Sequence, residues 1–109
     1  MNKHLTFFTA RKICKIPLSE IIHIRSNGMR TTIFTEAGSH CCSKNLKEVH
    51  PRLKGLPDFF RTHTSHIVNF SKIKEYQRVD GGILVMTNGS KVPIARRRKS
   101  DFLNWFMKK

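Results

Sequence analysis

What most constrains the fold of this chain is how often it must turn. Asn27-Gly28, Glu36-Ala37-Gly38, Gly55-Leu56-Pro57-Asp58, Asp80-Gly81-Gly82 and Asn88-Gly89 punctuate it, with short runs of strand character between them. Glycine and asparagine at such points supply the backbone angles that tight turns need. The pattern predicts a mostly β chain. Strands are expected over Leu5–Thr9, Lys12–Ile16, Ile21–Ser26, Met29–Thr35, Ser39–Cys42, Phe59–His63, Ile73–Val79, Ile83–Thr87 and Lys91–Ile94. Pro17–Glu20 reads as a turn, and Thr64–Phe70 is ambiguous between strand and helical turn. In the third of these strands, alternation sets Ile22 and Ile24 on one face and His23 and Arg25 on the other. Asn27-Gly28 is the strongest hairpin signal, with both residues taken as the central pair. Pro93 cannot donate to a ladder, so its strand belongs at an edge or ends there.

Two helices interrupt the pattern. Leu46, Val49 and Leu53 recur at helical spacing over Lys44–Arg52, with Ser43 as the N-cap. Pro51 is expected to end or kink this helix near His50. A short C-terminal helix with Ser100 as N-cap sets Phe102, Trp105 and Phe106 on one face, more naturally as core cover than as a base-stacking platform.

At 109 residues the chain reads as a single domain, and 39% apolar content fills one modest core. Its 21 Lys and Arg against 7 Asp and Glu leave a formal net charge of +14. Such charge disfavours compactness and calls for a polyanion, nucleic acid first and an anionic membrane surface second. The bland alternative is a solvated basic surface. The charge is concentrated: Lys91, Arg96, Arg97, Arg98, Lys99, Lys108 and Lys109 face a single acid, Asp101, over residues 91–109. The three cysteines, Cys14, Cys41 and Cys42, make a poor disulfide framework and point to a reducing, cytoplasmic compartment. No apolar run approaches transmembrane length and no signal peptide opens the chain.

Four elements in order carry a resemblance: Ile21-Ile22-His23-Ile24-Arg25-Ser26-Asn27-Gly28; Asn45-Leu46-Lys47-Glu48 leading to Leu53; Phe60-Arg61-Thr62-His63-Thr64-Ser65-His66-Ile67-Val68-Asn69 followed by Ile73; and Asn88-Gly89-Ser90-Lys91-Val92-Pro93-Ile94-Ala95-Arg96-Arg97. Over residues 12–106 the chain resembles the LytTR DNA-binding domains of bacterial response regulators, and the third element is the most specific. The resemblance implies an elongated, mostly antiparallel β fold with one short internal helix and a short C-terminal one. It implies sequence-specific binding of double-stranded DNA by a transcription regulator, through loops entering successive major grooves at paired or repeated promoter sites. Base contacts would fall on Met29 or Arg30, on Thr64 and on Arg97, with Ser65 matching a phosphate contact. Arg96, Arg98 and Lys99 join as phosphate candidates by charge. Three departures stand out: Ala95 replaces a serine frequent in the family, Thr64 replaces a longer polar side chain, and the 109-residue sequence is too short to read as including a receiver domain before the motif. A receiver domain in cis, or a signalling partner in trans, would supply the activating signal, and tandem sites suit a dimer on DNA. The segment reads as an excised C-terminal domain or a stand-alone binder without deciding between them, and Met1 mildly favours a natural start.

Read from chemistry alone, Arg97 has the planar fork that pairs with guanine O6 and N7, against the alternative of a phosphate contact or a solvated side chain. Arg30 stands at a hairpin tip. His63 divides between phosphate contact and structural hydrogen bond, Ser65 leans to phosphate, and Asn69 is structural. His63-x-x-His66 and His40-Cys41-Cys42 have zinc-capable ligand types, but an extended chain turns their neighbours to opposite faces, so no metal is expected. No cofactor motif occurs, and a Cys–His nucleophile pair remains open but lacks a well-placed third, orienting acid, so a non-enzyme is expected. The runner-up is an RNA-binding or ribosome-associated basic β module, and a protein-interaction or membrane-surface module comes third.

Overall fold

The computed structural model describes residues 4–8, 11–42, 46–53 and 55–108. Among the described residues, ten strands form three antiparallel sheets. β1 (His4–Phe8) and β2 (Ile13–Pro17) make a two-stranded sheet. β3 (Ile21–Asn27), β4 (Arg30–Thr35), β5 (Gly38–Cys42), β6 (Phe59–His63) and β7 (His66–Asn69) make a five-stranded sheet in the order β5-β4-β3-β7-β6. β8 (Ile73–Gln77), β9 (Ile83–Met86) and β10 (Lys91–Pro93) make a three-stranded sheet with β10 at an edge. Pro93 therefore sits at the end of an edge strand, where its missing N–H costs no ladder bond. The longest dimension, 42 Å, is nearly twice the shortest, 24 Å. No helix among the described residues is long and apolar enough to cross a membrane.

Two apolar clusters fill the molecule. The first joins Leu5, Phe7, Ile16, Ile21, Ile24, Ile33, Val49, Leu53 and Ile67. The second joins Ile22, Val68, Leu84, Met86, Val92, Ile94 and Phe102. The expected alternation of β3 is broken here. A bulge between Ile21 and His23 inserts one extra residue against β4, so Ile22 turns to the second cluster while Ile21 and Ile24 serve the first. Ile22 and Ile24 thus occupy opposite faces, and β3, with four successive buried residues, is the strand both clusters share.

The first helix, α1 (Leu46–Leu53), continues past Pro51 instead of stopping at His50. Pro51 removes one N–H bond, but Val49 and Leu53, four residues apart, are both buried in the first cluster and hold the final turn down. The Arg52 guanidinium also bonds the Thr6 carbonyl of β1. Ser43 and Lys44, the expected cap and start, lie outside the described residues, as does Thr9. The second helix, α2 (Lys99–Met107), begins one residue before the expected cap. A 3-10 turn over Arg96–Arg98 runs directly into it, so the first N–H groups already have carbonyl partners and Ser100 has none left to cap. Phe102 is fully buried, and Trp105 and Phe106 pack against the second cluster as core cover. The Trp105 indole N–H donates to the Pro57 carbonyl at 2.8 Å.

Candidate nucleic-acid interface

The hairpin signals set up the candidate interface. Asn27 pairs with Arg30, so the two-residue loop between β3 and β4 is Gly28-Met29, one position later than Asn27-Gly28. Gly28 takes φ +66°, and glycine first in a two-residue loop matches the strand twist. Met29 is pushed into solvent at 72% exposure, and Arg30 beside it is exposed too.

The ambiguous stretch after His63 is a second hairpin. Thr64 and Ser65 form its loop, His63 faces His66 across it, and β7 follows to Asn69. Several bonds fix that loop. The Ser65 N–H donates to His63 Nδ1 at 3.1 Å, with the Thr64 hydroxyl 3.4 Å from the same nitrogen. Arg61 Nη2 donates to the Thr64 carbonyl at 2.8 Å. Because His63 Nδ1 accepts, the proton of the neutral ring sits on Nε2. Thr64 is exposed, and the Ser65 hydroxyl has no hydrogen-bond partner among the described residues.

β3 and β7 are antiparallel neighbours, with Arg25 opposite His66. The Ser26 N–H continues that ladder to the Ser65 carbonyl at 2.9 Å. Both loops consequently stand side by side at one end of the five-stranded sheet. The third segment joins at β6, where the Ala95 N–H donates to the Thr62 carbonyl at 2.8 Å. The 3-10 turn of Arg96, Arg97 and Arg98 starts at the next residue. Arg96 and Arg97 are exposed, while Arg98 and Lys99 are half-buried. Met29, Arg30, His63, Thr64, Ser65, Arg96, Arg97, Arg98 and Lys99 are thus linked into one region by bonds between adjoining backbones.

The electrostatics are one-sided. No Asp or Glu occurs over residues 21–35, 59–74 or 81–100, which build the region. Burial, and secondarily the nearby Arg98 guanidinium, lower the Arg61 pKa. Arg61 is the residue sequence reasoning left without a role, although it lies inside the motif Phe60-Arg61-Thr62-His63. Its guanidinium bonds the Thr64 carbonyl and lies close enough to Arg98 to feel that like charge. Arg25, 5.4 Å from the Phe34 ring centroid, is a second such cation.

Two histidines behind the loops are neutral. His23 is 3% exposed, stacks on Phe34 at 4.3 Å, and has no hydrogen-bond partner for either nitrogen among the described residues. Burial, then His66 and Arg25, push its pKa down to about 4. His66 is likewise lowered to about 4, by burial, then by His63 and Arg25. Asn69 is structural: its amide N–H donates to the Ile21 carbonyl at 2.8 Å and its oxygen accepts from Ser71. Among the described residues no group of three His, Cys, Asp or Glu side chains could hold a metal ion.

The family model described as the LytTr DNA-binding domain matches residues 11–107. Among solved structures, the chain is similar to the LytTr DNA-binding domain of a protein from Bacillus cereus described as a methyl-accepting/DNA response regulator. The TM-score is 0.80 at 24% identity, over 96% of this chain and 97% of that one. No curated protein matches the chain.

Proposed function

Because the chain belongs to the LytTr DNA-binding domain family, we propose that it is a sequence-specific reader of double-stranded DNA in a transcription regulator. It acts as one DNA-binding module, and paired or repeated sites seat two copies. The Gly28-Met29 tip with Arg30, and the Thr64-Ser65 tip, enter the major groove. Arg97 reads a guanine edge through its bidentate fork. Arg96, Arg98, Lys99 and the Ser65 hydroxyl hold phosphates, which fix register and carry most of the affinity. His63 contributes through Nε2–H, since its other nitrogen is committed to the Ser65 backbone. A receiver domain in cis, or a partner in trans, delivers the signal.

One observation carries this reading: the bonds from Ser26 to Ser65 and from Ala95 to Thr62 bring two loops and the arginine turn together, so a single duplex can meet all three. Single-stranded RNA fits less well, because Phe60, Phe70, Phe102 and Trp105 pack against one another, edge-on or stacked, rather than standing free for bases.

Selection of bound duplexes from a random pool tests the proposal. The expected product is a motif repeated about one helical turn apart. If roughly 6–10 phosphates are neutralised, affinity falls about 10³–10⁵-fold between 50 and 200 mM salt. Unselected pools, salt-indifferent affinity, or stronger competition by single-stranded RNA would overturn it.

A further inference from the structure

Away from the two loops, the second helix and the turn between β8 and β9 enclose an open groove of about 520 Å³. Its size falls in the range of small-ligand sites. Lys99, Leu103, Phe106 and Met107 present one face of α2 to it. The opposite wall is Tyr76, held against the turn by close packing. A Cβ on Gly82 would lie 2.9 Å from the Tyr76 hydroxyl, so only glycine lets the ring lie there. Asp80, Gly81 and Gly82 in that turn all take positive φ. Asp80 is exposed and does not line the groove.

The lining combines an apolar floor with two cations and no acid. Neither Arg78 nor Lys99 makes a side-chain hydrogen bond or ion pair with a described residue. Met107 is 78% exposed, and Val79, next to Arg78, is also largely exposed. An apolar surface left in water beside two unneutralised cations fits one kind of ligand. We infer that this groove binds a small carboxylate carrying a hydrocarbon or aromatic body. Its carboxylate takes charge-assisted hydrogen bonds from Arg78 and Lys99, and its body covers Leu103, Phe106 and Met107. Lys99 is also one of the proposed phosphate contacts, whereas Arg78 and the apolar floor are not, so the variants that test the groove fall on Arg78 and Met107.

The test titrates isotope-labelled protein with decanoate below its micelle concentration, followed by amide chemical shifts. Phenylbutyrate serves as the aromatic acid, with decanol and decylamine as neutral and cationic comparisons. Saturable shifts confined to Gly81, Gly82 and α2 are expected, with decanoate or phenylbutyrate binding about tenfold tighter than decanol. The stronger of the two acids distinguishes an aliphatic from an aromatic source. Arg78→Gln and Met107→Glu, both outside the proposed DNA contacts, should each weaken the acids about tenfold. Their DNA binding should match the parent, which serves as the folding control. Absence of saturation at millimolar acid, equal binding of decanol or decylamine, shifts scattered over the molecule, or full binding by both variants would each overturn the proposal.

Discussion

At the scale of single residues, charge alone does not divide the cations into readers and holders. Arg97 is exposed in a 3-10 turn whose first residue follows the bond between Ala95 and Thr62, so its fork starts from an anchored backbone. Arg97→Ala should cost about 1–3 kcal/mol in DNA binding and relax preference at one base position. Affinity measured on sites mutated position by position checks this, and equal weakening on every site would make Arg97 a phosphate contact. His63 poses a sharper question. Its Nδ1 fixes the Ser65 backbone, while Nε2 is the atom that would meet DNA in the proposed mode. His63→Asn places an acceptor near Nδ1 but lacks a donor at Nε2. If His63 mainly shapes the loop, the asparagine variant should retain most of the affinity that His63→Ala loses. Equal loss in both, read by fluorescence anisotropy on one duplex, would assign the role to Nε2. Asn69 was recognisable as structural from its apolar surroundings, yet nothing in the sequence showed that it reaches the Ile21 carbonyl across the sheet. Asn69→Ala should cost about 1–3 kcal/mol in urea unfolding, because it leaves that buried carbonyl unpaired.

Among elements, strand runs and turn residues were legible because both depend on neighbouring residues. The two loops illustrate where that stops. Asn27-Gly28 announced a hairpin, but the pairing of Asn27 with Arg30 moved the loop to Gly28-Met29. Register comes from which faces are buried, and the bulge in β3 depends on the two clusters packing on either side. Similarly, Pro51 argued locally for a helix end, and burial of Leu53 overruled it. The motif around His63 pointed to the proposed interface, but the bond of Arg61 to the Thr64 carbonyl and its nearness to Arg98 arise only in the fold. The shifted loop yields a direct prediction. A Cβ on Gly28 meets nothing within 4 Å, so Gly28→Ala is opposed by its φ of +66° alone. That strain is about 1 kcal/mol. Thermal unfolding should register it, and DNA affinity should fall further than stability does, because Met29 and Arg30 hang on the same turn.

For the whole molecule, the decisive feature is that both clusters meet on β3, so whatever disturbs that strand disturbs everything. His23 sits in it, paired with Phe34 of β4 and Val68 of β7. The ionisable groups facing it are Arg25 and His66, with His63 behind His66, and none is an acid that could offset a proton. Its folded pKa of about 4 lies below the ordinary 6.5. The unfolded chain therefore binds more protons between those values, and stability must fall as pH falls. The contribution is intact above about pH 6.5 and is lost progressively toward pH 4. Between pH 7 and 5 the loss from His23 alone is about 2 kcal/mol. His66 acts in the same direction. Most carboxylates stay ionised over this interval, so the histidines dominate the slope. Urea midpoints at pH 7 and 5 measure it. His23→Phe keeps an aromatic ring against Phe34 and removes the titration, so its midpoint should move much less across the same interval. A parent protein equally stable at both pH values would mean that His23 accepts its proton without opening β3.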